Sequence, residues 1–187
     1  MKRLNTIVIV GAKIFEVAYW LMGAVMLLSL IVSVAMPGAV SSWAIEDTAG
    51  LNIRGFMVEM ADGTETVLPR ALAMASLTGV LSCGLMAMVF RNIYLIFRTA
   101  RGTTWFSKGQ TPFQPDIIRM VREIGIFCIS LPLVQLAMSV IGRLVIGTAT
   151  AEISVSLDGI VMGIIVLCLS QFFAYGMQLQ EDVDGLI

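Results

Sequence analysis

The stretch ALAMASLTGVLSCGLMAMVF (Ala71–Phe90) carries no charged side chain. A helix rising about 1.5 Å per residue needs about 20 apolar residues to cross roughly 30 Å of hydrocarbon. Three more charge-free runs of similar length lie at Val17–Met36, Ile124–Gly142 and Gly159–Gln180. This pattern predicts an all-α integral membrane protein, a four-transmembrane-helix bundle forming one domain over residues 1–187. Its outer loops would be 37–70 and 143–158, and its inner loop 91–123. The composition agrees: 58% of residues are hydrophobic and 13% charged, where soluble domains carry about 25% charge. The first apolar run exceeds the 7–15 residues usual for a cleaved signal, so it reads as a retained anchor.

Charge sets the orientation. Nine of the twelve Lys and Arg fall on one side: Lys2, Arg3 and Lys13 before the first run, and Arg91, Arg98, Arg101, Lys108, Arg119 and Arg122 in the inner loop. The other side holds Arg54, Arg70 and Arg143. By the positive-inside rule both termini are cytoplasmic. The acids Glu46, Asp47, Glu59, Asp62, Glu65, Glu152 and Asp158 lean outward, which adds little to a topology argument. Tyr19, Trp20, Tyr94, Trp105 and Tyr175 fall where an inner aromatic belt is expected, and Trp43 just beyond the outer end of the first span.

The outer loops carry strand signals. Asp62-Gly63 separates two strand-like runs within Gly55–Leu68, a hairpin signature. Ile153, Val155 and Leu157 alternate with polar residues. A small extracytoplasmic β-hairpin or three-stranded element is expected, since a lone hairpin is marginal in water. On the inner side, the second span should continue as a helix through Arg98, followed by an irregular Gly102–Pro115. Asp116 should cap a basic amphipathic helix, Ile117–Ile124, that runs into the third span. Its Arg119 and Arg122 can meet anionic headgroups, at about 1 kcal/mol each. Lys13 and Glu16, three residues apart, can pair on one helix face.

Within the spans little chemistry is visible. Cys83, Cys128 and Cys168 each sit in a different span and read as buried small hydrophobes. Gln135 and Gln171 are the most polar mid-membrane residues and are expected to form an intramembrane polar pair, with a ligand site as the alternative. Pro132 should kink the third span. Ala71, Ala75 and Gly79, and Gly159 with Gly163, place small residues four apart. These read first as close packing within the bundle and second as a dimer seam. The chain has no histidine, hence no Ser–His or Cys–His nucleophile pair. No span holds a central acid or base, the usual mark of ion-coupled transport. The expectation is a protein that is not an enzyme and uses no metal or cofactor.

The C-terminal Glu181, Asp182 and Asp184 stand on the side that holds the basic inner loop. They can dock against Arg98, Arg101, Arg119 or Arg122, at about 0–1 kcal/mol per exposed pair. These seven residues form the expected partner-docking face.

Two stretches carry a family likeness. Gly109-Gln-Thr-Pro-Phe-Gln-Pro-Asp-Ile-Ile-Arg-Met-Val-Arg-Glu-Ile-Gly125 resembles a "G-x-PF … N-x-x-R-L-R-x-I-G" segment, and Gly176-Met-Gln-Leu-Gln-Glu-Asp-Val-Asp-Gly-Leu-Ile187 resembles a closing "L-x-E-E-x-D-x-T-I". Both, with the span spacing, resemble the bacterial four-span membrane family catalogued as domain of unknown function 2975. Ile117 stands where that family usually has Asn, and Gly185-Leu186 where Leu-Thr is common. The family has no assigned activity. Its members are often encoded beside small helix-turn-helix regulators, which implies a regulatory partnership.

The resulting expectation is a non-enzymatic protein of the bacterial inner membrane whose cytoplasmic face docks a partner, a helix-turn-helix regulator by the resemblance. Bilayer lipid and a homo-oligomer are further expected partners, and direct nucleic-acid binding is not. Two alternatives are a protective, immunity-type protein against a toxic peptide or protein, and a binder or carrier of a small apolar molecule. The topology is directly testable. A reporter that works only in the cytoplasm should be active when fused at either terminus and silent when inserted at Asp62-Gly63; the reverse pattern would invert the assignment.

Overall fold

A computed structural model of the chain describes residues 2–42, 50–53, 56–59, 68–105, 107, 113–146, 151–152 and 157–184. Among the described residues five helices follow in order: α1 (Lys2–Ala35), the short α2 (Pro37–Val40), α3 (Pro69–Ala100), α4 (Pro115–Ile146) and α5 (Asp158–Asp184). Four of them are long and apolar enough to cross a membrane: Thr6–Ala35 of α1, all of α3 and α4, and Asp158–Gln180 of α5. Each apolar run sits in its own helix, but the helices are longer than the runs. Both α3 and α4 have 32 residues, about 48 Å at 1.5 Å per residue.

The helix ends follow local chemistry. Met36 leaves helical dihedrals, at φ −133° and ψ 61°, because the ring of Pro37 disfavours an α conformation before it. At the end of α3 the Gly102 N–H donates to the Thr99 carbonyl (2.9 Å) and the Thr103 N–H to the Arg98 carbonyl (3.1 Å). Gly102 has φ 70°, the left-handed C′ position of a Schellman cap. Helix α4 begins at Pro115, one residue before the cap expected at Asp116. The Gln114 carbonyl accepts from Ile117 (3.0 Å) and Ile118 (3.1 Å), and proline suits a first helical position that needs no N–H. The amphipathic segment expected at 117–124 is the start of α4 itself. Its Ile117, Ile118, Met120, Val121 and Ile124 are buried, while Arg119 and Arg122 are exposed. Helix α4 continues through a buried Pro132, which has no N–H to give the Cys128 carbonyl.

Among the described residues three short strands, β1 (Gly50–Ile53), β2 (Phe56–Glu59) and β3 (Ala151–Glu152), form an antiparallel sheet in the order β1-β2-β3. Gly50 faces Glu59, Ile53 faces Phe56, and Met57 faces Glu152. Strands β1 and β2 both precede Asp62-Gly63, the expected site of the hairpin turn; that dipeptide and residues 153–156 lie outside the described residues.

The chain divides into two compact units, and α1, α3 and α4 contribute to both. One unit holds Tyr19–Gly84 and Leu131–Leu157. Its core joins Val40 of α2 to Ala71, Ala75 and Met138, with Val32, Leu72 and Val134 around them. Here α1 crosses α3 closely. A Cβ on Gly79 would lie 3.0 Å from the Met26 side chain, and Ser76 Oγ donates to Ser29 Oγ at 2.9 Å. The other unit holds Met1–Ala18, Leu85–Ser130 and Asp158–Ile187. In it Phe15 stacks on Phe90 with centroids 5.0 Å apart. Helix α4 meets α5 at two glycines. A Cβ on Gly163 would lie 2.7 Å from the Gly125 carbonyl oxygen and run into Ile129. The small residues Ala71, Ala75, Gly79 and Gly163 thus serve packing within the chain.

Gly163→Ala should therefore lower stability by about 1–3 kcal/mol through overpacking, read as a lower thermal unfolding midpoint in detergent. Gly84→Ala, where nothing lies within 4 Å of the added carbon, should not lower the midpoint, and alanine's better helix propensity should if anything raise it.

Candidate functional site

Two groups of interacting polar side chains lie in the unit built from Met1–Ala18, Leu85–Ser130 and Asp158–Ile187. Glu123 organises one group. One of its oxygens, Oε1, accepts from Arg119 Nε at 2.9 Å, and the other, Oε2, accepts from Asn92 Nδ2 at 3.1 Å. Arg119 is one turn before Glu123 on α4, so their pairing is local. An exposed i,i+4 ion pair contributes about 0.3–0.5 kcal/mol. The Asn92 bond crosses between α3 and α4. Asn92 is buried at 4% exposure, so this bond satisfies an amide that would otherwise be desolvated without a partner.

Around this group lies a cleft of about 330 Å³ lined by Asn92, Leu95, Trp105, Asp116, Arg119, Met120 and Glu123. It combines two carboxylates, one guanidinium, an amide and apolar walls. Trp105 is 94% exposed. Such a mixture of an exposed indole, an arginine and fixed polar groups is what protein-recognition hot spots are made of.

A second group gathers on Tyr94. Lys13 Nζ lies 5.2 Å from its ring centroid and the Arg98 guanidinium carbon 5.6 Å, both within cation–π range. Arg98 also donates to Tyr94 Oη (3.0 Å) and to the Thr103 carbonyl (3.2 Å). Lys13 pairs with Glu16 at 3.0 Å, the pair that their spacing suggests. Glu16 is only 7% exposed. Arg101 Nη2 reaches Thr6 Oγ1 at 3.5 Å.

The docking residues expected from sequence thus occupy several places in this unit. Arg119 lines the cleft, Arg98 secures the end of its own helix, Arg101 reaches α1, and Arg122 is exposed on α4. Asp182 is exposed on the last turn of α5; the side chains of Glu181 and Asp184 lie outside the described residues. The two motif stretches meet: the Phe113 ring packs over Gly176, where a Cβ would lie 2.5 Å from it, and against Phe173 with centroids 6.1 Å apart. Gln135 is buried, and its Oε1 accepts no hydrogen bond among the described residues. Gln171 is exposed on α5. Of the cysteines, Cys83 is buried and Cys128 partly so, but Cys168, expected inside, is exposed. Among the described residues no group of three or more His, Cys, Asp or Glu could hold a metal ion.

Sequence reading missed Asn92 and Glu123 as a pair. They are 31 residues apart, and the only available signal is a polar residue just past the end of a charge-free run. No family model, curated protein or solved structure matches this chain.

A double-mutant cycle tests the pair. Glu123→Leu leaves the Asn92 amide buried and unpaired, so it should cost about 1–3 kcal/mol. Combining it with Asn92→Leu should cost less than the sum of the two single changes. Additive losses in the thermal midpoint would show that the two residues act independently.

Proposed function

We propose that this chain is a non-enzymatic protein of the bacterial cytoplasmic membrane, with both termini inside, and that its cytoplasmic face docks a soluble regulatory protein. A helix-turn-helix transcription regulator is the favoured partner. The observation that carries the reading is the cleft of Asn92, Trp105, Asp116, Arg119 and Glu123. It is the place where a fixed polar group, an indole and apolar walls meet. The positive-inside bias assigns this end of α3 and α4 to the cytoplasm. On the same assignment the β1–β3 sheet is extracytoplasmic. The likeness to the domain of unknown function 2975 family adds support, because Phe113 and Gly176 come from the two stretches that carry it and they pack on each other.

The exposed cations Arg119 and Arg122 and the acid Asp182 suit a partner of mixed charge. Charge complementarity of this kind governs partner choice and encounter rate more than raw affinity. The lipid bilayer remains the solvent of the four long helices.

The test is affinity capture of the tagged full chain from its native membranes in mild detergent. The wild type is compared with Arg119→Glu/Arg122→Glu and with Glu181→Lys/Asp182→Lys/Asp184→Lys. The reading predicts a soluble protein whose recovery falls at least tenfold in one or both variants. Undiminished capture in both would sink it.

A further inference from the structure

One exposed face of α5 carries a glutamine at a depth out of keeping with lipid. Ile164, Cys168, Gln171, Tyr175 and Gln178 are all exposed. They recur at alternating intervals of four and three, the seam spacing of a left-handed helix pair. Gln171 lies within the span Asp158–Gln180, about 13 Å from its Gln180 end at 1.5 Å per residue. That depth is hydrocarbon, where no water is available to an amide. Gln171 makes no hydrogen bond within the chain among the described residues, and its neighbour Phe172 is 72% exposed. Next to it a groove of about 390 Å³ is lined by Gln171, Phe172, Ala174, Tyr175 and Gln178.

We infer that this face is the contact between two copies of the chain, with α5 packed against α5 of the second copy. Three arguments select a second copy over other occupants. Lipid cannot satisfy a primary amide in the hydrocarbon, whereas another helix can. Two copies in one membrane share their orientation, so a twofold axis along the membrane normal pairs each residue with its own counterpart. A glutamine amide is both donor and acceptor, so it is complementary to itself: each Nε2 donates to the Oε1 of the other. The same symmetry brings each Cys168 beside its counterpart, one turn along the seam, and sets each Tyr175 against the groove of the other copy.

Cys168 makes the arrangement measurable in the unmodified protein. The full chain is reconstituted in vesicles of phosphatidylethanolamine and phosphatidylglycerol, oxidised with copper-phenanthroline and run on a non-reducing gel. The expected result is a covalent dimer whose yield holds when the protein is diluted into excess lipid before oxidation, and which disappears in Cys168→Ser. Leu169→Cys in the Cys168→Ser background is the control, because position 169 has the same depth on a different, exposed part of the helix; it should cross-link far less. Gln171→Leu removes the amide and improves the match to lipid, so folding is not at risk. It should lower the cross-linked fraction about threefold or more, the effect of one such membrane hydrogen bond. No Cys168-dependent dimer, an equal yield from position 169, or a yield unchanged by Gln171→Leu would overturn the inference.

Discussion

Hydrocarbon offers no partner to a backbone N–H or C=O, so a chain that crosses it must satisfy those groups within each segment. The rest of this structure follows from that constraint. It makes the four apolar runs helical, keeps charge out of their centres, and pushes Lys, Arg, Asp and Glu to the helix ends. Chemistry that needs charge is consequently confined to those ends. The Asn92–Glu123–Arg119 group and the Lys13–Glu16–Tyr94–Arg98 group both sit where a span runs out.

The same constraint explains how small polar residues are tolerated inside the spans. Thr78 donates to the Met74 carbonyl at 2.8 Å, Ser130 to Ile126 at 2.8 Å and Ser170 to Leu167 at 2.6 Å. Each hydroxyl borrows an acceptor from its own helix, as serine and threonine do when no other partner exists. Ser76 and Ser29 pair between helices instead. Ser82 and Ser139, by contrast, bury their hydroxyls with no hydrogen-bond partner among the described residues, and the helices approach one another through small residues. The Gly125–Gly163 crossing and the Met26–Gly79 contact are the two closest examples.

The spans were legible in the sequence because run length and the absence of charge report directly on transfer into hydrocarbon. Their ends were less so. Helix α3 continues to Ala100 because nothing breaks it before Gly102, and α4 starts at Pro115 because a proline there needs no hydrogen-bond partner. The packing of side chains was least legible. A span that is apolar all round gives no periodic sign of which face meets protein and which meets lipid. The exposure of Cys168, the burial of Ser82 and the pairing of Asn92 with Glu123 depend on that choice. In the sheet only β2 lies within the segments that alternation marked: β1 precedes Gly55, β3 ends just before Ile153, and the Gly50–Glu59 and Met57–Glu152 pairings set the register.

On the proposed function, the α3–α4 end bearing Trp105 and Glu123 is the surface at which this membrane protein meets a soluble one. Site-specific photo-cross-linking from position 105 in intact cells addresses it most directly, since that side chain is almost fully exposed. One dominant adduct with a soluble protein is expected, lost when Arg119 and Arg122 are reversed in charge. Adducts with lipid alone, or none at all, would contradict it.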